Sequence, residues 1–218
     1  IVTDVDGVLS TDPRKINEAE LLESITVGEM KTLATHGAQV LHPNALDYKH
    51  PDIDAKIINF KYGDLTTEGT HITGPYDYKP MELLKEPVTS ITVVGKDLLH
   101  KSGIIADLTN MLYDNGIHLY KLNPHHNSIT TFINKTDGDK TYKLFHEYVI
   151  ENEFLSSISQ GQDTAMISII DPERDEFAIS KILSKNGIDA ELINVAKTEI
   201  LIFVDWEVGE KVFNLLSK

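Results

Sequence analysis

Apolar and turn-forming residues recur at a fixed spacing in the C-terminal part of the chain. Seven positions of the first copy return 71 residues further on, as Asn115 returns at Asn186. A constant offset through helix, turn and strand indicates two copies of one small domain in tandem. The matched pairs are Leu112 and Leu183, Asn115 and Asn186, Gly116 and Gly187, Ile117 and Ile188, Ile129 and Ile200, Phe132 and Phe203, and Ile133 and Val204.

Each copy predicts the same order of elements, strand, helix, two strands and a second helix. A helical apolar spacing that begins at Gly103 and stops at Asn115-Gly116 marks the first helix. We predict ferredoxin-like βαββαβ sandwiches, with helices on an antiparallel sheet and residues 154–160 as the fourth strand of the first copy. The predicted strands are 90–94, 117–122, 128–134, 165–170, 190–196 and 199–205, and the predicted helices are 103–114, the stretch beyond Thr141, 177–185 and 208–216.

The N-terminal part has a different pattern, in which short helices and strands alternate. A strand opens the chain, residues 19–22 and 27–36 predict helices, and 56–60 predicts another strand. Residues 66–80 are rich in turn formers and predict a linker. We therefore expect one edge of an α/β sandwich. The predicted domains are 1–80, 87–160 and 161–218.

The net charge of the chain argues against some classes of ligand. Thirty-four acidic residues against 20 basic ones give a formal charge of −14, which opposes binding to nucleic acid or to an anionic membrane. There is no cysteine and no signal-like or membrane-length apolar stretch. We expect a soluble cytoplasmic protein that acts on small molecules. Because residue 1 is isoleucine within an apolar run, we also expect that a preceding segment of the natural chain is missing.

The sequence Asp4-Val5-Asp6-Gly7 directly follows the opening strand and is compatible with two chemistries. It resembles the haloacid-dehalogenase phosphatases, where Asp4 would be a nucleophile and Asp6 a general acid beside Mg²⁺. That superfamily also needs an acidic metal pair downstream. Gly63-Asp64 followed by Glu68 is a poor substitute for it.

A second resemblance accounts for more of the chain. The segments 3–8, Asp12-Pro13-Arg14 and 37–43 closely resemble the C-terminal half of the aspartokinase catalytic domain, which has the amino-acid kinase fold. The two repeated units lie where that family carries paired ACT domains. The resemblance implies transfer of the ATP γ-phosphate to the β-carboxylate of aspartate, with amino-acid feedback regulation, at the start of lysine, threonine and methionine biosynthesis. A stand-alone amino-acid-sensing ACT module is the other alternative.

The aspartokinase resemblance implies an ATP site with Mg²⁺ bridging the phosphates. Carboxylate and hydroxyl acceptors at a strand end suit ribose or amine protons, and an arginine pairs bidentately with phosphate. No catalytic residue is assigned, because the Lys-Phe-Gly-Gly stretch of the family is absent and no two glycines are adjacent. The chain alone is therefore predicted to lack kinase activity. The implied ATP-site residues are Thr3, Asp4, Leu9, Asp12, Pro13, Arg14, Gln39 and Val40.

The same resemblance implies an effector site and a homodimer formed through the ACT domains. Lysine or threonine would place its carboxylate at a helix N-terminus in the first repeat. In the second repeat Asp171-Pro172-Glu173-Arg174-Asp175 replaces the glycine-bearing loop, so we expect no effector there. We predict no metal at His125-His126, since neighbouring imidazoles without a third ligand usually face solvent. The implied effector-site residues are Leu98, Ser102, Gly103, Ile104, Ile105, Leu119, Tyr120 and Asn123.

Overall fold

A computed structural model describes residues 1–38, 40–50, 52–75, 79–170 and 175–217. The chain divides into two compact units. The N-terminal unit comprises Ile1–Pro80 with Ala196–Thr198, and the C-terminal unit comprises Met81–Val195 with Glu199–Lys218. Within the described ranges, no helix combines the length and the apolar character needed to cross a membrane.

The described residues of the N-terminal unit form a four-stranded sheet with one α-helix. Its sheet order is β1-β3-β4-β2, in which β1 is parallel to β3, β3 antiparallel to β4, and β4 parallel to β2. Its core includes Val27 and Met30 of the helix, packed with Ile57 and Ile72 of the sheet. The elements are β1 (Val2–Thr3), β2 (Ser24–Thr26), α1 (Val27–Thr35), β3 (Ala55–Asn59) and β4 (Thr70–Thr73).

The helix predicted at 27–36 and the strand predicted at 56–60 are both confirmed. The Thr26 side chain caps α1 reciprocally with Glu29. The helix predicted at 19–22 is wrong, because that segment pairs with the chain after the opening strand: Ser10 N–H donates to Glu20 O at 2.8 Å. Four residues supply too few helical hydrogen bonds to compete with such a pairing. The turn-rich stretch 66–80 contains β4, which the linker prediction did not include.

In its described residues the C-terminal unit has seven strands and four helices, and all of them except the first strand follow the order that the repeat predicts. Gly116 and Gly187 end equivalent helices with the same left-handed φ of +65°. The elements are β5 (Met81–Leu83), β6 (Val88–Gly95), α2 (Ser102–Asp114), β7 (Leu119–Pro124), β8 (Ser128–Asn134), α3 (Gly138–Glu151), β9 (Leu155–Ile169), α4 (Glu176–Lys185), β10 (Ala190–Val195), β11 (Ile200–Asp205) and α5 (Gly209–Leu216).

One 15-residue strand, β9, serves both repeats. Its first half pairs with β6, so residues 154–160 do provide a fourth strand for the first repeat. Its second half pairs with β11 on one edge and with β5 on the other. We call β6, α2, β7, β8, α3 and the first half of β9 the first module. The second module is the second half of β9 with α4, β10, β11, α5 and β5.

The second module therefore takes its fourth strand from the chain that precedes the first module. The pairing of Leu83 with Ile167 in the second module corresponds to the pairing of Gln160 with Ile91 in the first. Both modules thus reach the ferredoxin-like four-stranded sheet. The second domain is predicted to begin at residue 161, and the sheet that contains its strands also includes β5.

The two halves of the joined sheet face each other. The rings of Phe132 and Phe203, which occupy equivalent positions in the two copies, lie 4.2 Å apart between centroids. Lys121 Nζ on β7 donates to Asn194 Oδ1 on β10 at 2.9 Å, although these strands lie at opposite ends of the sheet order. The opposite face of each half packs on its own helices in a separate core.

Candidate functional site

The motif after β1 lies beside the end of β3, because these neighbouring strands are parallel. Thr3 Oγ1 donates to Asp4 Oδ1 at 3.1 Å. The buried Asn59 donates from Nδ2 to Asp4 O and to Asp6 Oδ1, both at 2.9 Å. Lys61 Nζ lies 2.8 Å from Asp6 Oδ1. The strand ends therefore gather acceptors, an amide and a cation at one place.

The pairing of Asp6 with Lys61 changes the proton affinity of both groups. Donation by Lys61, and then by Asn59, lowers the pKa of Asp6 below its ordinary value. The same contact raises the pKa of Lys61. Asp6 is therefore a carboxylate at neutral pH, which suits a hydrogen-bond acceptor and not a general acid.

Gly7 fixes the turn of this motif. Its φ is +154°, and an added Cβ would lie 2.6 Å from Thr70 Oγ1. That hydroxyl accepts from Val8 N–H at 2.8 Å and donates to Leu22 O at 2.7 Å. Any side chain at Gly7 would push the loop away from β4.

Asp12 and Arg14 form a two-pronged ion pair. Arg14 donates from Nε and from one terminal nitrogen to the two carboxylate oxygens of Asp12, each at 3.0 Å. Arg14 lowers the pKa of Asp12, and Asp12 raises the pKa of Arg14. The guanidinium is largely exposed and has five N–H donors, so donors remain for a phosphate after Asp12 is bound.

The other predicted ATP-site residues have different surroundings. Leu9 is half-buried and pairs through its backbone with Leu21. Val40 packs on the core of the N-terminal unit, Pro13 is exposed, and Gln39 lies outside the described residues. The structure thus brings together Thr3 with Asp4 and Asp12 with Arg14, and it directs Val40 toward the core.

The predicted effector residues divide between the loop before α2 and strand β7. Leu98 and Ile104 are buried in the core of the first module. Ser102 and Gly103 are exposed in the first turn of α2, where no side chain caps the helix. Amide groups in a first helical turn have no partner within the helix, so they can receive an anion.

Strand β7 contributes residues on both of its faces. Ile105 of α2 and Leu119 pack against the core of the first module. Tyr120 packs instead with the cluster of Phe132 and Phe203 between the two sheet halves. Asn123 is half-buried, with Nδ2 3.0 Å from His125 Nε2. The structure thus groups Ile105 and Leu119 with the loop, and it places Tyr120 on the other face of the sheet.

The corresponding helix of the second module begins differently. Asp175 accepts from Ala178 N–H at 2.6 Å and so caps α4 with its own carboxylate. The residues 171–174, on which the sequence prediction also relied, lie outside the described part. The contrast between an open α2 and a capped α4 is the main difference between the two strand-to-helix connections.

The histidines singled out from the sequence lie near the loop before α2. Asp97 has a left-handed φ of +58°, and its Oδ1 lies 3.7 Å from His100 Nε2 and 3.8 Å from His126 Nδ1. Across the described ranges, no group of three or more His, Asp and Glu side chains is arranged to hold a metal ion.

The comparison with known proteins begins with the N-terminal unit. Residues 1–59 match the sequence pattern described as the amino acid kinase family. That match includes Asp4-Val5-Asp6-Gly7, so the motif is similar to the amino acid kinase family. Taken with the fold, it defines the class of the chain: part of an amino-acid kinase sheet followed by two ferredoxin-like ACT modules.

Proteins that are similar to the whole chain narrow this class further. The chain is 28% identical, over 234 residues, to the aspartokinase of Rickettsia felis, covering 100% of this chain and 56% of the relative. The aspartate kinase of Synechocystis has a similar fold, with a TM-score of 0.82 at 21% identity over 99% of this chain and 41% of that one. The regulatory subunit of aspartate kinase from Thermus thermophilus matches 64% of this chain and 95% of its own, with a TM-score of 0.53 at 15% identity. The chain is similar to aspartokinases along its whole length, and it spans about half the length of the curated relatives it matches.

Proposed function

We propose that this chain provides the ATP-binding edge and the amino-acid sensor of an enzyme that phosphorylates the β-carboxylate of aspartate. The observation that carries the proposal is sequence similarity to aspartokinases through both the kinase part and the two modules. The enzyme would act in the cytoplasm at the start of lysine, threonine and methionine biosynthesis. Its parts would be residues 1–80 for the kinase, with the ACT domains at 87–160 and 161–218 and with β5 completing the sheet of the second.

The polar groups at the end of β1 fit a nucleotide. Thr3 and Asp4 present oxygen acceptors beside Asn59, and Arg14 presents free guanidinium donors while Asp12 holds its orientation. Mg²⁺ would arrive with the nucleotide and shield its phosphate charge. Leu9, Pro13, Gln39 and Val40 would complete the site. In this arrangement Asp12 is a positioning residue and Arg14 a phosphate-binding residue.

Equilibrium binding of ADP with Mg²⁺ tests the nucleotide site. Arg14→Ala removes a charge-assisted hydrogen bond, so the affinity should fall roughly tenfold. Lys15→Ala is the matched control, since it removes the neighbouring exposed cation without touching the Asp12 pair, and it should change the affinity little. Equal losses in the two variants would mean that ADP responds only to net charge and would contradict the site.

The open N-terminus of α2 supports effector binding in the first module. The exposed Ser102 and Gly103 give a carboxylate access to uncapped amides, whereas Asp175 already supplies a carboxylate to α4. Lysine or threonine would bind there between the ACT domains of two chains. Among the strands that the structure describes, β7 is the last in the sheet order, so its outer edge could pair with a second chain in such a homodimer.

Thermal unfolding with added lysine or threonine tests the sensor. A ligand that binds only the folded state raises the melting temperature. Gly103→Asp places a carboxylate in open space at the helix start and should abolish that rise. Phe177→Asp adds the same charge to the exposed first turn of α4 and should preserve it. A rise that survives in Gly103→Asp would contradict an effector site at α2.

A further inference from the structure

The second module contains a cavity of about 460 Å³ beside the start of α5. Leu83, Leu84 and Ala165 form its apolar side, and Lys85, Trp206, Glu207 and Glu210 line it with an aromatic ring and charges. This volume lies within the range of small-molecule sites. The cavity adjoins Ala165, whereas the strand-to-helix connection of this module follows Ile169, so it is separate from the position equivalent to the proposed effector site.

The first module closes the equivalent place with its own side chains. Lys135 and Trp206 are 71 residues apart, and each begins the short 3-10 turn that precedes the last helix of its module. In the first module Lys135 forms an ion pair with Asp163. Gln160 Nε2 lies 2.9 Å from the point where a Cβ on Gly138 would stand. Two polar side chains therefore cover the helix start.

The second module replaces each of these closing groups. Leu83 stands where the first module has Gln160. Leu84 N–H donates to Met166 O at 2.9 Å, which places the next residue, Lys85, beside Ala165. This position is equivalent to that of Asp163 in the first module. A lysine and a tryptophan cannot form the ion pair of the first module. The exchange leaves an open cavity with an exposed indole at its rim.

The lining favours a particular ligand chemistry. Glu207 and Glu210 supply two carboxylates against the single cation of Lys85. Within the described part of the chain, neither glutamate side chain forms an ion pair. The hydrogen bond of Glu207 to Asp205, at 2.8 Å, is donated by its backbone N–H and leaves its carboxylate available. An indole face attracts a cation more strongly than other aromatic rings do. Leu83 and Ala165 provide apolar contact for an aliphatic body.

We propose that this cavity binds a small organic cation that carries an apolar body, with its ammonium between Trp206 and the carboxylates of Glu207 and Glu210. The ligand site would be additional to the nucleotide and effector sites proposed above. It does not depend on them, because all of its residues lie in the second module or directly follow its strands β5 and β11.

Trp206 is the only tryptophan of the chain, so its fluorescence reports directly on this cavity. The 218-residue chain is titrated at constant ionic strength with n-hexylammonium chloride, and with the neutral isostere n-hexanol and the anion hexanoate. We expect a saturable change with hexylammonium at concentrations where neither control has an effect. No saturable change, or an equal response to hexanol, would overturn the proposal.

Variants in the two modules test whether the cation binds at this cavity or at the equivalent place in the first module. Replacing both glutamates, as Glu207→Gln with Glu210→Gln, should weaken hexylammonium binding roughly tenfold by removing charge-assisted contacts. Asp139→Asn changes the residue equivalent to Glu210 in the first module and should leave binding unchanged. The ¹H–¹⁵N resonance of the Trp206 indole gives a second readout, and unaltered circular dichroism shows that the double variant is folded. Equal weakening by Asp139→Asn would indicate general charge attraction and would refute the assignment.

Discussion

The two C-terminal modules share a fold and a sheet but differ at the starts of both of their helices. In the first module the helix α2 begins without a side-chain cap, while the start of α3 is covered by Gln160 and by the pair of Lys135 with Asp163. In the second module Asp175 caps α4, and the start of α5 borders a cavity. The first module thus leaves the start of its first helix open, and the second module leaves the start of its last helix open. The two copies share several core residues, such as Phe132 and Phe203, and differ at the connections before their helices. Connecting segments are where binding residues are most often found.

The largest effect is expected where the copies are most alike. Phe203→Ala and Phe132→Ala each remove a buried ring from the cluster between the sheet halves. Each should lower the free energy of unfolding by about 3–5 kcal/mol. Urea denaturation measures these losses. The double variant should lose less free energy of unfolding than the sum of the losses in the two single variants, with a coupling energy of about 0.5–1.5 kcal/mol. Strict additivity would show that the stacked rings are independent.

A smaller difference in the free energy of unfolding is expected between alanine substitutions at Gly209 and at Gly138, the first residues of α5 and α3. A Cβ at Gly209 would lie 2.4 Å from Ala165 Cβ, so Gly209→Ala should destabilise the protein by about 1–3 kcal/mol through overpacking. At Gly138 the nearest atom is the end of the flexible Gln160 side chain, 2.9 Å away. Gly138→Ala should therefore be nearly neutral, because the helical preference of alanine offsets the adjustment. Equal losses would contradict the difference drawn between the two helix starts.

Removing the charge of one lysine beside each of these helix starts, Lys135 in the first module and Lys85 in the second, should have a weaker effect. Lys135→Gln breaks the ion pair with Asp163 and should cost up to about 1 kcal/mol at low salt, and less as salt is added. Lys85→Gln occupies the corresponding region of the second module and should leave the free energy of unfolding within about 0.5 kcal/mol. If Lys85→Gln were the more damaging change, the second module would hold a partner that closes its cavity.

The smallest effect concerns a hydrogen bond present in the first module alone. Burial, and then the contact of Tyr148 Oη with Asp107 Oδ2 at 2.5 Å, raises the pKa of Tyr148 to about 12. Asp107→Asn should lower that pKa toward 10, as followed by ultraviolet titration. Because the folded pKa exceeds the unfolded value, the stabilisation is complete below pH 10 and is lost as the pH rises through 12. An unchanged tyrosine titration would mean that burial alone sets the pKa.

The repeat made much of this fold predictable. The helix stops at Asn115-Gly116 and Asn186-Gly187 and the flanking strands follow from local residue preferences, which the structure confirms. Residues 19–22 and β5 were not predicted correctly, because their structure depends on distant partners: Leu9 for the first and the second half of β9 for the other. Short segments carry too little periodicity to reveal such pairings.

The candidate sites were predictable to a similar extent. The carboxylates after the opening strand were recognised as chemistry, but Lys61 lies 55 residues from Asp6 and was missed. A signal was available, since Lys61 directly follows a predicted strand that could lie parallel to the first. The cavity beside Trp206 had no such signal, because it arises from what the second copy lacks relative to the first.

Hydrogen–deuterium exchange with lysine or threonine tests most directly the claim that the first module is the amino-acid sensor. The account predicts slower exchange in the presence of effector for the amides of residues 98–106 and 119–123, and no change in the first turn of α4, where Asp175 already caps the helix. Protection at α4 instead of α2, or in neither helix, would contradict the claim.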